Sequence, residues 1–216
     1  MFLRKQLRDR FREQIEQIKP TSTVELTASA IVFAPHQDDE TLGCGGTIIR
    51  KRQQGAKVQI VFMTDGSRSH DRFIPEEKLI ALRQQEATKA AETLGVASED
   101  VLFLGFRDGE LSHQATPAIA RVTRLLQKEQ PQQVFVPYIR ETHPDHLATN
   151  QIVLAALNNY SREVSIYEYP VWYWHHFPWT KSWGDRATAN NCPQSTGNKA
   201  RHEDVFPADP SPNSCH

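Results

Sequence analysis

Ala30-Ile31-Val32-Phe33-Ala34-Pro35-His36-Gln37-Asp38-Asp39-Glu40 runs from five apolar residues straight into an imidazole and three carboxylates. The apolar half reads as a strand, and the polar half as the turn that leaves it. Carboxylates placed side by side repel one another and raise each other's pKa, so a folded chain keeps such a cluster where water or a cation compensates it. The stretch is therefore either a solvated loop or a metal site, and the rest of the chain has to decide between them.

Outward from this stretch, strand and helix patterns alternate. Thr41 to Gln54 has a helix pattern closed by Gly55, and Lys57 to Thr64 reads as a second strand. Leu79 to Leu94 is a helix stopped by Gly95, Val101 to Leu104 a third strand, and Pro117 to Lys128 a further helix. Gln133 to Pro137 follows as a fourth strand, His146 to Asn158 as a helix and Ser165 to Tyr169 as a fifth strand. Alternation of this kind predicts an α/β fold, a Rossmann-like parallel β-sheet with helices on both faces. Ligands of such sheets sit at the carboxyl ends of the strands, where the strand order reverses. The chain has 216 residues, 38% of them hydrophobic, enough to bury one sizeable core.

Four regions are expected: an amphipathic helix and linker over 1–28, an α/β domain bearing the polar cluster over 29–171, an aromatic segment over 172–183 and a disordered tail over 184–216. Leu3, Leu7, Phe11, Ile15 and Ile18 share one helical face, suited to packing on its own domain or a neighbouring subunit, or to a membrane surface. Trp172, Tyr173, Trp174, Phe177, Trp179 and Trp183 form the aromatic segment, read as a lid or a packed edge. Beyond Gly184 large apolar residues become scarce and prolines recur, the composition of a mobile tail. A net charge of −1 argues against a nucleic-acid partner. No apolar run is long enough to span a bilayer, and no secretory leader is recognisable, so a cytoplasmic location is expected. Cys44, Cys192 and Cys215 have no zinc-finger or disulfide spacing and read as free thiols.

About a hundred residues after the opening stretch, the fourth strand leads into Thr142-His143-Pro144-Asp145-His146. Both clusters thus fall at the same edge of the expected sheet. Two histidines and a carboxylate make the three-ligand set of a catalytic zinc site, with a fourth position left for water. On the His-x-Asp-Asp-Glu and His-Pro-Asp-His elements, with Thr64-Asp65-Gly66, Arg83, Glu86, Leu94-Gly95-Val96 and the surroundings of Asp108 between them, the chain resembles the LmbE-like (PIG-L-like) zinc-dependent N-deacetylases over roughly residues 30–170.

Carried over residue by residue, the resemblance implies that His36, Asp39 and His146 bind zinc and that Asp38 is the general base. His143, protonated, is then the general acid or oxyanion partner. Zinc would bring its water toward a pKa of about 7, and Asp38, beside a ligand yet free of the metal, would accept the proton. Asp145 is expected to hydrogen-bond an imidazole and hold its tautomer. The implied reaction removes acetyl from an N-acetylglucosaminyl conjugate or related N-acyl amine, a small-molecule substrate, in a chain that could form a homo-oligomer. Two other readings stay open: a metal-retaining carbohydrate-binding or scaffold protein without turnover, and an amidase for larger amide conjugates. The ligand set would accept iron(II) as well as zinc.

Several further residues carry two readings each. Arg83 either reaches substrate, as its match to the family implies, or pairs with Glu86 along its helix. Asp108 either shapes its turn or binds a sugar hydroxyl, and Arg140 either faces substrate or solvent. Asp65 either caps a turn or holds groups of the site. Gly43, Gly45 and Gly46 are read as a packing surface, since they do not form a dinucleotide-binding pattern. Gln37 stands where the family commonly has proline, and Glu40 is expected to support a helix start.

Overall fold

The computed structural model describes residues 22–68 and 75–172, together with Gln6 and the two-residue strand Arg201–His202. The amphipathic face of residues 3–18 lies outside the described residues except for Gln6, which is helical. Of the aromatic segment only Trp172 is described, and of the tail only Arg201–His202.

Six parallel strands form one sheet in the order β3-β2-β1-β4-β5-β6. They are β1 (Ala30–Ala34), β2 (Val58–Thr64), β3 (Val101–Phe106), β4 (Gln133–Pro137), β5 (Ser165–Tyr169) and β6 (Arg201–His202). The helices are α1 (Thr23–Thr27), α2 (Asp39–Gln53), α3 (Glu76–Thr93), α4 (Ala115–Glu129) and α5 (Pro144–Leu157). Every residue of β1, β2 and β4 is buried, which is why these strands read as unbroken apolar runs rather than alternating ones. The pleat sends successive side chains to opposite faces. Ile31 and Phe33 join Val134, Val136 and the apolar faces of α4 and α5 on one side, while Ala30, Val32 and Ala34 meet Cys44, Ile48, Ala87 and Ala91 of α2 and α3 on the other.

Two features the side-chain pattern did not announce are α1 and β6. Within the expected linker, Ser22 and Glu25 form a reciprocal capping box that starts α1. Lys51, buried in α2, donates to the carbonyls of Glu25 and Ala28 and ties that short helix down. In the expected disordered tail, Arg201 and His202 pair in parallel with Ser165 and Ile166. Strand pairing of this kind uses backbone groups, which composition alone does not register.

Helix starts also shift. α3 begins at Glu76 rather than Leu79, since its first turn, Glu76-Glu77-Lys78, is exposed and acidic and carries no apolar periodicity. α5 begins at Pro144 rather than His146, with Pro144 in the first turn where its missing N–H costs nothing. His143 thereby becomes the cap of α5. β1 and β4 are neighbours, and the chain builds outward from them in opposite directions, so the order reverses between them. The turns leaving these two strands are the two polar clusters.

Candidate active site

The first cluster folds as the start of α2. The backbone N–H of His36 donates to Asp39 Oδ2 at 3.0 Å, and the same oxygen lies 3.2 Å from His36 Nδ1. His146, on α5, has no exposed surface and sets its Nε2 3.2 Å from Asp39 Oδ2. One buried carboxylate oxygen thus stands between two imidazoles. The rings of His36, His143 and His146 bring nitrogens within 4.8 Å of one another. His36, Asp108 and Asp145 cluster at the same spacing on the other side of His36.

Asp145 is buried at the start of α5 and is almost saturated. It accepts from the N–H groups of Gly109 at 2.7 Å and Leu111 at 3.2 Å, and its Oδ2 lies 3.2 Å from His36 Nε2. Asp108 Oδ1 is 3.3 Å from the same nitrogen, while its Oδ2 accepts the Arg68 N–H. Asp65 Oδ1 accepts from the N–H groups of Ser67 and Asp108, so it both shapes its turn and holds Asp108. Burial works against a charged His36 ring, yet its bonds to Asp108, Asp145 and Asp39 outweigh that and raise its pKa well above the ordinary value. Burial likewise works to raise Asp39, but His146 and His36 hold its carboxyl far below the usual range. The carboxylates around His36 call for positive charge.

Asp38 faces the other way, with its side chain about half exposed. Arg83 reaches it from α3: Nη2 donates to the Gln37 carbonyl at 2.7 Å and lies 3.2 Å from Asp38 Oδ2, and Nη1 is 3.5 Å from Glu86. The described contacts of Arg83 are therefore with the Asp38 turn and its own helix. Gln37 is buried and donates to the Thr64 carbonyl at 2.8 Å, fastening the turn to the end of β2. Arg140 is exposed on the turn between Tyr138 and Glu141.

His143 caps α5: its Nδ1 accepts the Asp145 N–H at 3.2 Å, which puts the proton of the neutral ring on Nε2. Burial, with the charge of His36 and His146 added, lowers its pKa. Gly43 packs against Tyr169 so closely that an added Cβ would stand 2.2 Å from the ring. Glu40 is fully buried, and burial pushes its carboxyl up to about 7.

Glu141 was not singled out from the sequence. It is buried, accepts the N–H groups of Val171 at 2.6 Å and Trp172 at 3.0 Å, and places Oε2 3.7 Å from His146 Nδ1. Its signal is a carboxylate two residues ahead of His143, which no helix or strand period marks.

The donors fit a divalent metal. Two ligands about 2.1 Å from one zinc ion at the tetrahedral angle stand about 3.4 Å apart, close to the 3.2 Å that separates Asp39 Oδ2 from each imidazole. Both ring nitrogens of His146 are buried without a hydrogen-bond partner. Such atoms need another partner to offset their desolvation.

The family model described as PIG-L, GlcNAc-PI de-N-acetylase, matches residues 31–157, from β1 through both clusters to the end of α5. The chain belongs to the PIG-L family. A probable N-acetyl-alpha-D-glucosaminyl L-malate deacetylase 2 of Bacillus anthracis is 31% identical over 133 residues, covering 59% of this chain and 58% of that protein. The diacetylchitobiose deacetylase of Thermococcus kodakarensis is 34% identical over 141 residues, covering 61% and 52%. Among solved structures, the N,N'-diacetylchitobiose deacetylase of Pyrococcus horikoshii in complex with its inhibitor MPG superposes with a TM-score of 0.58 at 30% identity, covering 72% of this chain and 58% of that one. This PIG-L chain thus spans between half and two thirds of the length of these relatives. Among its described residues no helix is long and apolar enough to cross a membrane.

Proposed function

We infer that this PIG-L chain is a metal-dependent hydrolase that removes the acetyl group from an N-acetylglucosaminyl conjugate. The observation that carries the reading is the divided use of two adjacent carboxylates. Asp39 is buried between two imidazoles, and Asp38, one residue earlier, is turned outward against Arg83. The relatives named above, whose names give N-acetylated glucosamine conjugates as their substrates, support the substrate class.

His36, Asp39 and His146 are the residues that would hold the metal, zinc in the first place, with iron(II) acceptable to the same donors. When bound, the ion supplies Lewis acidity and a water whose pKa falls toward about 7. Asp38 accepts the proton of the attacking water, a task suited to a carboxylate that touches no metal-facing nitrogen. Arg83 holds Asp38 and its turn in place. His143 donates a hydrogen bond from Nε2 to the oxygen of the breaking amide, its capping bond at Nδ1 fixing the tautomer this requires, and the proton taken up by Asp38 passes to the leaving nitrogen. Asp145 orients His36 through Nε2.

The test is amine release from a panel of N-acetylglucosaminides by the zinc-loaded protein, with and without a chelator. Chelator-sensitive release of free amine and acetate is expected. Zinc uptake with no turnover on any member of the panel would overturn the hydrolase reading.

A further inference from the structure

We propose that Glu141 is the positioning residue for His146, holding that ring by its second nitrogen while the first faces Asp39. The inference rests on His146 being a metal ligand, as read above. A neutral imidazole carries one proton on its two nitrogens. His146 Nε2 points to Asp39, so binding a metal there leaves the proton on Nδ1. No surface of this residue reaches solvent, and Nδ1 has no hydrogen-bond partner as it stands. The acceptor that faces it is Glu141 Oε2, at 3.7 Å.

Glu141 is built to stay there. Its side chain is fully buried, Oε1 accepts the Val171 N–H and Oε2 accepts the Trp172 N–H. The arrangement parallels Asp145, which takes two backbone N–H groups and lies against the far nitrogen of His36. His36 and His146 thus each face a buried carboxylate that accepts two backbone amides. Glu141 differs in what anchors it: its two amides belong to the chain leaving β5, so it links the site to the point where the chain passes Trp172.

The experiment measures zinc affinity by competition with a chromophoric chelator, and imidazole protons by nitrogen-edited NMR, on wild type and Glu141→Gln. Zinc binding is expected to weaken roughly 10- to 100-fold in the variant. The zinc-loaded wild type should show a proton on His146 Nδ1. A folded E141Q that binds zinc as tightly as wild type, with only a lowered melting temperature of the zinc-free protein, would reduce Glu141 to an anchor for Val171 and Trp172. Should the variant not fold, the wild-type spectrum decides alone: a zinc-bound His146 with no Nδ1 proton overturns the proposal. A wild type that takes up no zinc removes the reading of the whole site.

Discussion

The turn after β1 and the turn after β4 carry the same kinds of residues to the same place, yet they are held in different ways. The second turn is secured by its own helix. His143 caps α5, Pro144 fills a position where no N–H is needed, and Asp145 and His146 follow on the first turn. The first turn is secured from a distance. Gln37 is fastened to Thr64, the Pro35 carbonyl accepts both the N–H and the hydroxyl of Thr64, and Arg83 reaches across from α3 to the Gln37 carbonyl and Asp38. Helix capping thus contributes more to the second turn, to which Asp145 adds long-range bonds from Gly109 and Leu111, and tertiary contacts contribute more to the first, whose local bond is His36 N–H to Asp39. Substitutions should betray the difference.

The largest effects are expected at Asp38, in the first turn, and at His146, in the second. Asp38→Ala should cut deacetylation by about 10²- to 10⁴-fold while zinc stays bound, whereas His146→Ala should lose the metal itself. Metal analysis beside the rate assay separates them, and an active D38A protein would remove Asp38 as the base. In the second turn, His143→Asn keeps a good helix cap but lacks the ring N–H. The rate should fall by about 10²-fold with the melting temperature held. His143→Ala should lose the same rate and a further ~1 kcal/mol of stability from the missing cap. Equal melting temperatures for the two variants would mean that the cap is not what secures this turn.

Arg83 tests remote support directly. If it positions Asp38, Arg83→Ala should lower kcat by about 10-fold or more with KM little changed, since a displaced group costs rate rather than binding. A raised KM with kcat intact would instead assign Arg83 to substrate. The smallest effect belongs to Gln37→Ala, which leaves the buried Thr64 carbonyl without this donor. A loss of about 1–2 kcal/mol is expected in denaturant unfolding, and no loss would show that the first turn stands without its tie to β2.

Much of this layout is legible in the amino-acid sequence. All five longer strands were readable because a parallel sheet covered on both faces leaves unbroken apolar runs bounded by turn residues. His36, Asp38, Asp39, His143, Asp145 and His146 were nameable because two short motifs stand at strand ends. Less legible were the residues that serve the site from elsewhere. Glu141 belongs to no motif whose chemistry announces it, Gln37 is marked only as standing where the family commonly has proline, and Glu40, in the first turn of α2 as read, is also a fully buried carboxyl. Arg83 was visible as a candidate, but its partners lie 45 and 46 residues away along the chain.

By itself the amino-acid sequence determined the α/β order of elements, the two polar clusters and their place at one sheet edge, because hydrophobic periodicity and turn chemistry are properties of neighbours along the chain. Only the tertiary structure decided which of two adjacent aspartates goes inward and which turns outward, that Arg83 lies against Asp38, that His143 spends one nitrogen on a helix cap, and that Glu141 faces His146. Those are contacts between residues that the sheet order brings together. Burial, hydrogen-bond direction and the choice of imidazole tautomer exist only once they are in contact.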